Sequence, residues 1–168
     1  MIRYICMKGY KTKNKVPLTS TCLDNGTWSS VELTCLPEAV FGTDIYELNN
    51  TYYKLVQMEQ DWESAKATCD GMGLHLVDIK YQEEQLFITD NIVHDYDCYW
   101  TGGRRRNDKL VWLDGTDIAA SNGWNWGNNQ PSNYGGSQNC ITLKDYNGYK
   151  WNDKSCSDQC YVICELAQ

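Results

Sequence analysis

The spacing of apolar residues predicts short strands separated by helices. Residues 51–56, Thr-Tyr-Tyr-Lys-Leu-Val, are mainly β-branched or aromatic and predict a strand. Residues 61–69 have helical spacing, and the apolar residues that share one face are Trp62, Ala65 and Cys69. An acidic residue at the start suits the helix dipole, and two glycines shortly after residue 69 end the helix.

A second strand and a second helix follow along the chain. Residues 75–79, His-Leu-Val-Asp-Ile, predict a short strand, and residues 82–93 again show helical spacing. The buried face of this second helix is expected to contain Leu86, Phe87 or Ile88, and Ile92.

The stretch from Gly123 to Cys156 concentrates polar oxygens beside a predicted hairpin. It begins with a loop rich in glycine and asparagine around Pro131. Two β-prone runs, residues 141–143 and 149–151, then flank Asn147-Gly148, which is a strong hairpin signal. Amide, hydroxyl and carboxylate side chains therefore lie next to a rigid β-element, and this is the candidate binding site.

The nine cysteines among 168 residues indicate an oxidising compartment. No run has the length and apolar character of a membrane span, so we expect no membrane insertion by this chain. The first residues read as a strand rather than as a signal peptide. We therefore expect a piece of a longer secreted protein or of an ectodomain.

Charge and motifs exclude two broad function classes. Residues 1–37 carry a net charge of +3 and the remaining residues −10, and such an acidic body argues against nucleic acid as a partner. His75 and His94 lack metal-ligand spacing and are expected to be packed or surface residues. No nucleophile motif or phosphate loop is present, so we do not expect an enzyme.

Residues 46–166 resemble the C-type lectin-like domain, because motifs along the chain follow the family's order. These motifs are Trp62, Cys69, His75-Leu76-Val77, Glu83-Glu84, Trp100-Thr101-Gly102-Gly103, Trp112-Leu113-Asp114-Gly115, Trp126, Gln130-Pro131, Asn139-Cys140 and Trp151-Asn152-Asp153. The resemblance implies an α+β fold in which two helices flank antiparallel sheets. It also implies a long irregular loop at about Arg104–Gln138.

Residues 1–37 resemble the C-terminal part of a sushi (complement control) module. The resemblance rests on the order of Cys6, Gly9-Tyr10, Cys22, Gly26-x-Trp28 and Cys35. The expected organisation is a partial all-β sushi module at 1–37, a linker at 38–45 and a C-type lectin-like domain at 46–168.

The two resemblances imply a disulfide pattern. In the sushi pattern Cys6 pairs with Cys35, and Cys22 is left unpaired because its partner would lie upstream of residue 1. In the C-type lectin-like pattern Cys69 pairs with Cys164 and Cys140 with Cys156. Cys98 and Cys160 remain, and we hypothesise that they form an additional bridge across the central sheet.

The resemblance also implies a ligand set for calcium and sugar. In the family, a Glu-Pro-Asn or Gln-Pro-Asp tripeptide and a later Trp-Asn-Asp surround a calcium ion, whose coordination the sugar hydroxyls complete. Carried over by position, these ligands are Gln130, Ser132, Gln138, Asn152 and Asp153. Only Asp153 is an acid, so we expect weak calcium binding, about millimolar. The alternative is a polar loop that is ordered without an ion.

Two further features bear on the type of sugar. Gln130-Pro131 and Tyr134 resemble galactose-binding members, in which an aromatic ring stacks on the sugar's apolar face, although Tyr134 also fits an ordinary exposed loop residue. The run Arg104-Arg105-Arg106 argues against an auxiliary calcium site. This run is interpreted either as an attractor of sulfated or sialylated ligands or as a solvated hairpin loop.

Two functions therefore stay open. The first is an extracellular carbohydrate-binding module for glycans or glycoproteins, weak, calcium-dependent and of galactose type, in adhesion or pattern recognition. The second is a calcium-independent protein-interaction domain on the same scaffold. Asn25-Gly26-Thr27 and Asn49-Asn50-Thr51 are candidate N-glycosylation sites of a secreted glycoprotein.

Overall fold

The computed structural model describes residues 2–13, 18–31, 33–94, 96–118 and 124–166. Gly123, the first residue of the candidate stretch, and residues 119–122 of the predicted long loop lie outside this described part. The chain divides into two compact units, Met1–Phe41 and Gly42–Gln168. The division falls within the expected linker segment, 38–45, whose first residues form the single 3-10 turn Glu38–Val40.

The first unit is small and all-β in its described residues. Its strands are β1 (Ile2–Tyr4), β2 (Tyr10–Thr12), β3 (Leu18–Ser20) and β4 (Cys35–Pro37). β1 pairs with β3 and β2 pairs with β4, both antiparallel. A disulfide joins Cys6 to Cys35, while Cys22 is a free and exposed cysteine.

The second unit is built on a mixed, mainly antiparallel sheet and two helices. The helices are α1 (Trp62–Gly71) and α2 (Gln82–Asn91), and the strands are β5 (Ile45–Leu48), β6 (Thr51–Gln60), β7 (His75–Leu76), β8 (Cys98–Arg106), β9 (Lys109–Val111), β10 (Gln138–Lys144), β11 (Lys150–Ser155) and β12 (Cys160–Leu166). The strand order is β11-β10-β8-β12-β6-β5, with β7 on β12 and β9 on β8. Only the β8–β12 pair is parallel among the described strands. The predicted α+β class is confirmed.

The two helices lie where the apolar spacing predicts them. α1 begins at Trp62 because the Asp61 carboxylate accepts a hydrogen bond from the Ser64 backbone N–H at 3.0 Å, which caps the first turn. Trp62 is completely buried, as the spacing predicts. None of the helices in the described part of the chain is both long and apolar enough to cross a bilayer.

The buried face of α2 differs from the prediction at one residue. Ile88 and Ile92 are fully buried, but the expected burial of Leu86 is wrong because its side chain is 54% exposed. Glu84 and Gln85 lie on the inward face in its place. Leu86 is two positions before Ile88, and residues two apart on a helix do not share a face.

Three boundaries also differ from the sequence-based expectation. The predicted strand 75–79 is a strand only over His75–Leu76, although Val77 and Ile79 are buried. The β10–β11 hairpin is closed by the 3-10 turn Asp145–Asn147 rather than by a two-residue turn. The long loop begins after β9 and not at Arg104, because the three arginines belong to β8 and pair with β9.

Three disulfides staple the second unit, and their pairs are those that the resemblance and our hypothesis give. Cys69–Cys164 joins α1 to β12, and Cys98–Cys160 joins the parallel neighbours β8 and β12. Cys140–Cys156 joins the start of β10 to the residue that follows β11. The last of these holds the hairpin that carries the candidate site.

A group of buried carboxyls lies where β12, α2 and the segment after β7 meet. Glu165 and Asp78 are each 4% exposed, and Glu84 is 8% exposed. The Asp78 backbone N–H donates to Glu165 at 2.8 Å, and the Tyr53 hydroxyl donates to Glu84 at 2.9 Å. Burial raises the pKa of Glu165 to about 8 and also raises the pKa values of Glu84 and Asp78.

Candidate functional site

The β10–β11 hairpin supplies the rigid half of the site. Thr142 of β10 lies opposite Asn152 of β11, and Ile141 lies opposite Asp153. The Asp153 side chain is completely buried, and Asn152 is 6% exposed. The hairpin register therefore fixes both polar side chains at the base of the long loop.

The loop that covers this hairpin turns sharply around its proline. The Gln130–Pro131 peptide bond is cis. Asn129 and Asn133 on either side have φ values of 59° and 43°, a left-handed conformation that asparagine adopts more readily than most residues. A single 3-10 turn, Tyr134–Gly136, then leads into β10.

Asp153 is the centre of the site. Its Oδ1 accepts a hydrogen bond from the Ser132 backbone N–H at 2.9 Å, and its Oδ2 accepts one from the Asn133 backbone N–H at 2.7 Å. Hydrogen bonds to an ionised carboxylate are stronger than those between neutral groups. One buried carboxylate therefore holds the loop against the hairpin.

The two glutamines complete the loop's internal network. Gln138 Oε1 accepts from the Ser132 hydroxyl at 2.8 Å and from the Tyr134 backbone N–H at 2.7 Å. Gln130 Oε1 accepts from the Ser132 backbone N–H at 3.1 Å. Asn152 Nδ2 donates to the Asp153 carbonyl at 2.6 Å. The structure thus brings the sequence-predicted residues together, since hydrogen bonds join Gln130, Ser132, Tyr134, Gln138, Asn152 and Asp153.

Sequence reasoning missed Tyr146. Its hydroxyl donates to Asn152 Oδ1 at 2.9 Å, although the side chain as a whole is 66% exposed. Lys144 Nζ lies 5.4 Å from the centre of the tyrosine ring. No motif in the sequence identifies Tyr146, because its bond to Asn152 depends on the shape of the turn that precedes β11.

The exposed aromatic surface of the site belongs to Tyr134 and Tyr146. The Tyr134 side chain is 83% exposed at the tip of the loop, and only its backbone is tied to the network. Both rings can therefore contact a ligand without losing the contacts that order the loop.

The residues of this site do not fit a tight calcium site. Calcium takes about 6–8 oxygen ligands, and several carboxylates are needed for high affinity. Asp153 is the only acid in the predicted set, and both its oxygens accept backbone N–H groups. The side-chain oxygens of Gln138 and Asn152 are engaged as well. Among the described residues, no group of three or more His, Cys, Asp or Glu side chains is arranged to hold a metal.

The arginine run forms part of a hairpin and has separate contacts. The Arg104 guanidinium lies 4.6 Å from the centre of the Trp62 ring and pairs with Glu63 at 2.9 Å. Arg105 Nη1 donates to the Asp108 carbonyl at 3.4 Å.

His75 Nδ1 lies 3.5 Å from the Glu165 carboxylate and therefore belongs to the group of buried carboxyls rather than to the loop.

A disulfide-stapled hairpin under a long loop, with clustered side-chain oxygens and exposed aromatic rings, defines a C-type lectin-like recognition domain. The family model of the Lectin C-type domain matches residues 58–166, and the chain belongs to this family. A Sushi repeat model matches residues 1–35. The resemblances found in the sequence are therefore confirmed. C-type lectin domains are carbohydrate-binding, non-enzymatic domains that typically bind calcium. Members of the family are secreted proteins or ectodomains of membrane proteins.

Several known proteins are similar to this chain. The hepatic lectin of Gallus gallus is 31% identical over 116 residues, which cover 68% of this chain and 53% of that protein. C-type lectin domain family 4 member A of Mus musculus is 31% identical over 152 residues, which cover 86% of this chain and 57% of that protein. The chain thus spans about half the length of these relatives.

A solved structure with the same fold is the human scavenger receptor C-type lectin carbohydrate-recognition domain. Its TM-score is 0.67 at 28% identity, and the match covers 76% of this chain and 99% of that one. These relatives support a lectin module as the general function of residues 58–166.

Proposed function

We propose that this chain is an extracellular carbohydrate-binding module for galactose-type sugars on glycans or glycoproteins, and that it is not an enzyme. The observation that carries the proposal is the loop held by Asp153, in which the Tyr134 backbone N–H donates to Gln138 while the Tyr134 side chain stays 83% exposed. An aromatic face next to amide and hydroxyl groups matches a sugar, because sugars have one apolar face and a rim of hydroxyls.

Calcium has a small role in this proposal. The family resemblance predicts calcium-dependent binding, and one carboxylate supports a dissociation constant in the millimolar range. The hydrogen bonds from Ser132 and Asn133 to Asp153 already order the loop without an ion. Sugar binding is therefore expected to persist in chelator.

Other features of the chain fit an extracellular role. Four disulfides indicate an oxidising compartment, and the acceptor asparagines of both sequons, Asn25 and Asn49, are exposed. The aromatic rings lie at the surface rather than in a deep pocket, so single-site affinity is expected to be low. Binding to clustered glycans would then depend on several copies acting together.

The second candidate function is protein recognition without calcium or sugar. It is favoured by the same internal network, because the side-chain oxygens of Gln138, Asn152 and Asp153 already have donors within the chain. Under this alternative, Tyr134 and Tyr146 contact a protein partner.

A glycan array probed with the multimerised full chain separates these possibilities. We expect galactose-terminated glycans to be bound in calcium and in chelator alike. Binding that disappears in chelator would support the calcium-dependent form and contradict an ion-free loop. An array with no bound glycan in either condition would overturn the sugar proposal and favour protein recognition.

A further inference from the structure

A pocket adjoins the candidate loop. It has a volume of about 400 Å³, and its walls include Arg105 and Leu110 of the β8–β9 hairpin together with Trp126 and Pro131. This volume falls within the range of about 300–1,000 Å³ that is common for small-ligand sites.

The pocket and the candidate site share a backbone segment. Pro131 lies directly between Gln130 and Ser132, both of which take part in the loop network. Trp126 forms a parallel bridge with Trp151, and the rings of these residues meet edge to face at 5.7 Å. Trp151 immediately precedes Asn152-Asp153, so the pocket wall contacts the strand that carries the base of the candidate site.

The walls of the pocket combine apolar and polar groups. Trp126, Leu110 and Pro131 provide the apolar surface. Arg105 has one hydrogen bond among the described residues, from Nη1 to the Asp108 carbonyl, and its other N–H donors are not used there. This combination suits a saccharide, which offers an apolar face and hydroxyl acceptors together.

The charges of the pocket favour an uncharged ligand. The described residues of its walls include two cations, Arg105 and Lys109, and two anions, Asp108 and Asp117. Lys109 pairs with Asp117 at 3.5 Å. A sulfated or sialylated ligand would gain from the cations and lose a comparable amount to the anions.

We propose that this pocket is a subsite for the second, uncharged sugar unit of a galactose-terminated glycan. The proposal rests on the proposed function, because the terminal galactose occupies the adjoining loop site. Arg105 is the specificity-determining residue, since it donates to hydroxyls of the second sugar. Arg106 is not among the described residues that line the pocket.

The test compares methyl β-galactoside with lactose as ligands of the full chain. We expect lactose to bind about fivefold more tightly, which corresponds to about 1 kcal/mol. Arg105→Ala should remove this preference and leave the affinity for methyl galactoside unchanged. Arg106→Ala is the matched control and should keep the preference.

Each contrary result has a distinct meaning. Equal affinities of the unaltered chain for the two sugars, or an Arg105→Ala variant that keeps the preference, would overturn the subsite and leave the proposed function standing. Tighter binding of 3′-sulfated lactose than of lactose would overturn the assignment to an uncharged sugar. Failure to bind either sugar would overturn the proposed function together with the subsite.

Discussion

At the scale of single residues, the site depends on the hydrogen bonds that the Asp153 carboxylate accepts. Both carboxylate oxygens bind backbone N–H groups of the loop, so the negative charge is compensated within the chain. The positions that would strengthen an ion site are Ser132 and Gln138, whose side chains are joined at 2.8 Å.

The double substitution Ser132→Asp and Gln138→Glu should convert this loop into a calcium site. Three neighbouring carboxylates repel one another without an ion, so we expect a lower melting temperature in chelator. Calcium at a hundredfold excess over its Kd should restore about 2.7 kcal/mol. Differential scanning calorimetry measures both effects, with the unaltered chain as the control that responds little to calcium. Absence of a calcium response in the double variant would show that these positions do not converge on an ion.

Tyr134→Ala should weaken galactose binding about fivefold, because an aromatic stacking contact contributes about 1 kcal/mol. The ring is 83% exposed, so the free energy of unfolding should stay unchanged. Tyr81→Ala is the matched control, since Tyr81 is 71% exposed and lies outside the loop. If the two variants bind galactose equally well, the Tyr134 ring does not contact the sugar.

The sequence allowed much of the site to be predicted at this scale. Motif positions identified Gln138, Asn152 and Asp153 because they stand at fixed distances from a cysteine or a tryptophan. Tyr146 could not be found in this way, since its bond to Asn152 depends on the shape of the turn. The two shortest hydrogen bonds to the Asp153 carboxylate come from backbone N–H groups, which every residue except proline has, so the residue types of the loop do not predict them.

At the scale of elements, the hairpin depends on the Cys140–Cys156 disulfide. The two cysteines are 16 residues apart, and closing a loop of about this length stabilises a protein by about 3 kcal/mol. The double substitution of both residues by Ala should lower the free energy of unfolding by about this amount, measured by denaturant titration.

The same variant should also loosen the binding loop. We expect faster hydrogen exchange at the amides of Ser132 and Asn133, because β10 and β11 carry the carboxylate that holds them. The control is the double Ala variant of Cys98 and Cys160, a disulfide between β8 and β12. If the control speeds loop exchange equally, the effect reflects global stability rather than the hairpin staple.

Pattern and chemistry differ in how well they predict element boundaries. The helix predicted over residues 61–69 is correct because the cap at Asp61 and the apolar spacing both indicate a helix in the same place. The Asn147-Gly148 signal located the hairpin but not its 3-10 turn. The arginine run was expected in a loop, yet it extends β8, because pairing with β9 outweighs the polar character of these residues.

At the scale of the whole molecule, the buried carboxyls should make stability depend on pH. Burial raises the pKa of Glu165 to about 8, so the folded state binds its proton more tightly than the unfolded chain does. This contribution is complete below about pH 4.5 and is lost as pH rises toward 8, at up to about 1.4 kcal/mol for each pH unit. Glu84 and Asp78, whose pKa values are also raised by burial, act in the same direction.

Denaturant titrations between pH 5 and 9 measure this loss of stability. Glu165→Gln should flatten the profile, because glutamine keeps the shape of the side chain and does not titrate. Glu83→Gln, at an exposed neighbour in α2, is the control and should leave the slope unchanged. A slope as steep in Glu165→Gln as in the unaltered chain would mean that Glu165 does not set the pH dependence.

Asp114 has a pKa lowered to about 2 by its contact with Lys80, so its contribution to stability is lost only in strong acid.

The overall fold was predictable because tryptophan, cysteine and glycine motifs occur in one order along the chain. The buried carboxyl group was not, since Asp78, Glu84 and Glu165 come from separate segments that meet only after folding. The pocket beside Pro131 is lined by a hairpin and by a loop that is distant in the sequence, so local sequence patterns could not predict it.

The central claim is that the loop held by Asp153 binds galactose without needing calcium. The most direct measurement is an NMR titration of the isotope-labelled full chain with galactose in chelator, which follows the amide signals of Ser132, Asn133 and Tyr134. We predict saturable shifts of these signals at millimolar sugar, little changed when calcium replaces the chelator. Amide signals that do not move in chelator, at sugar concentrations that shift them in calcium, would contradict the claim.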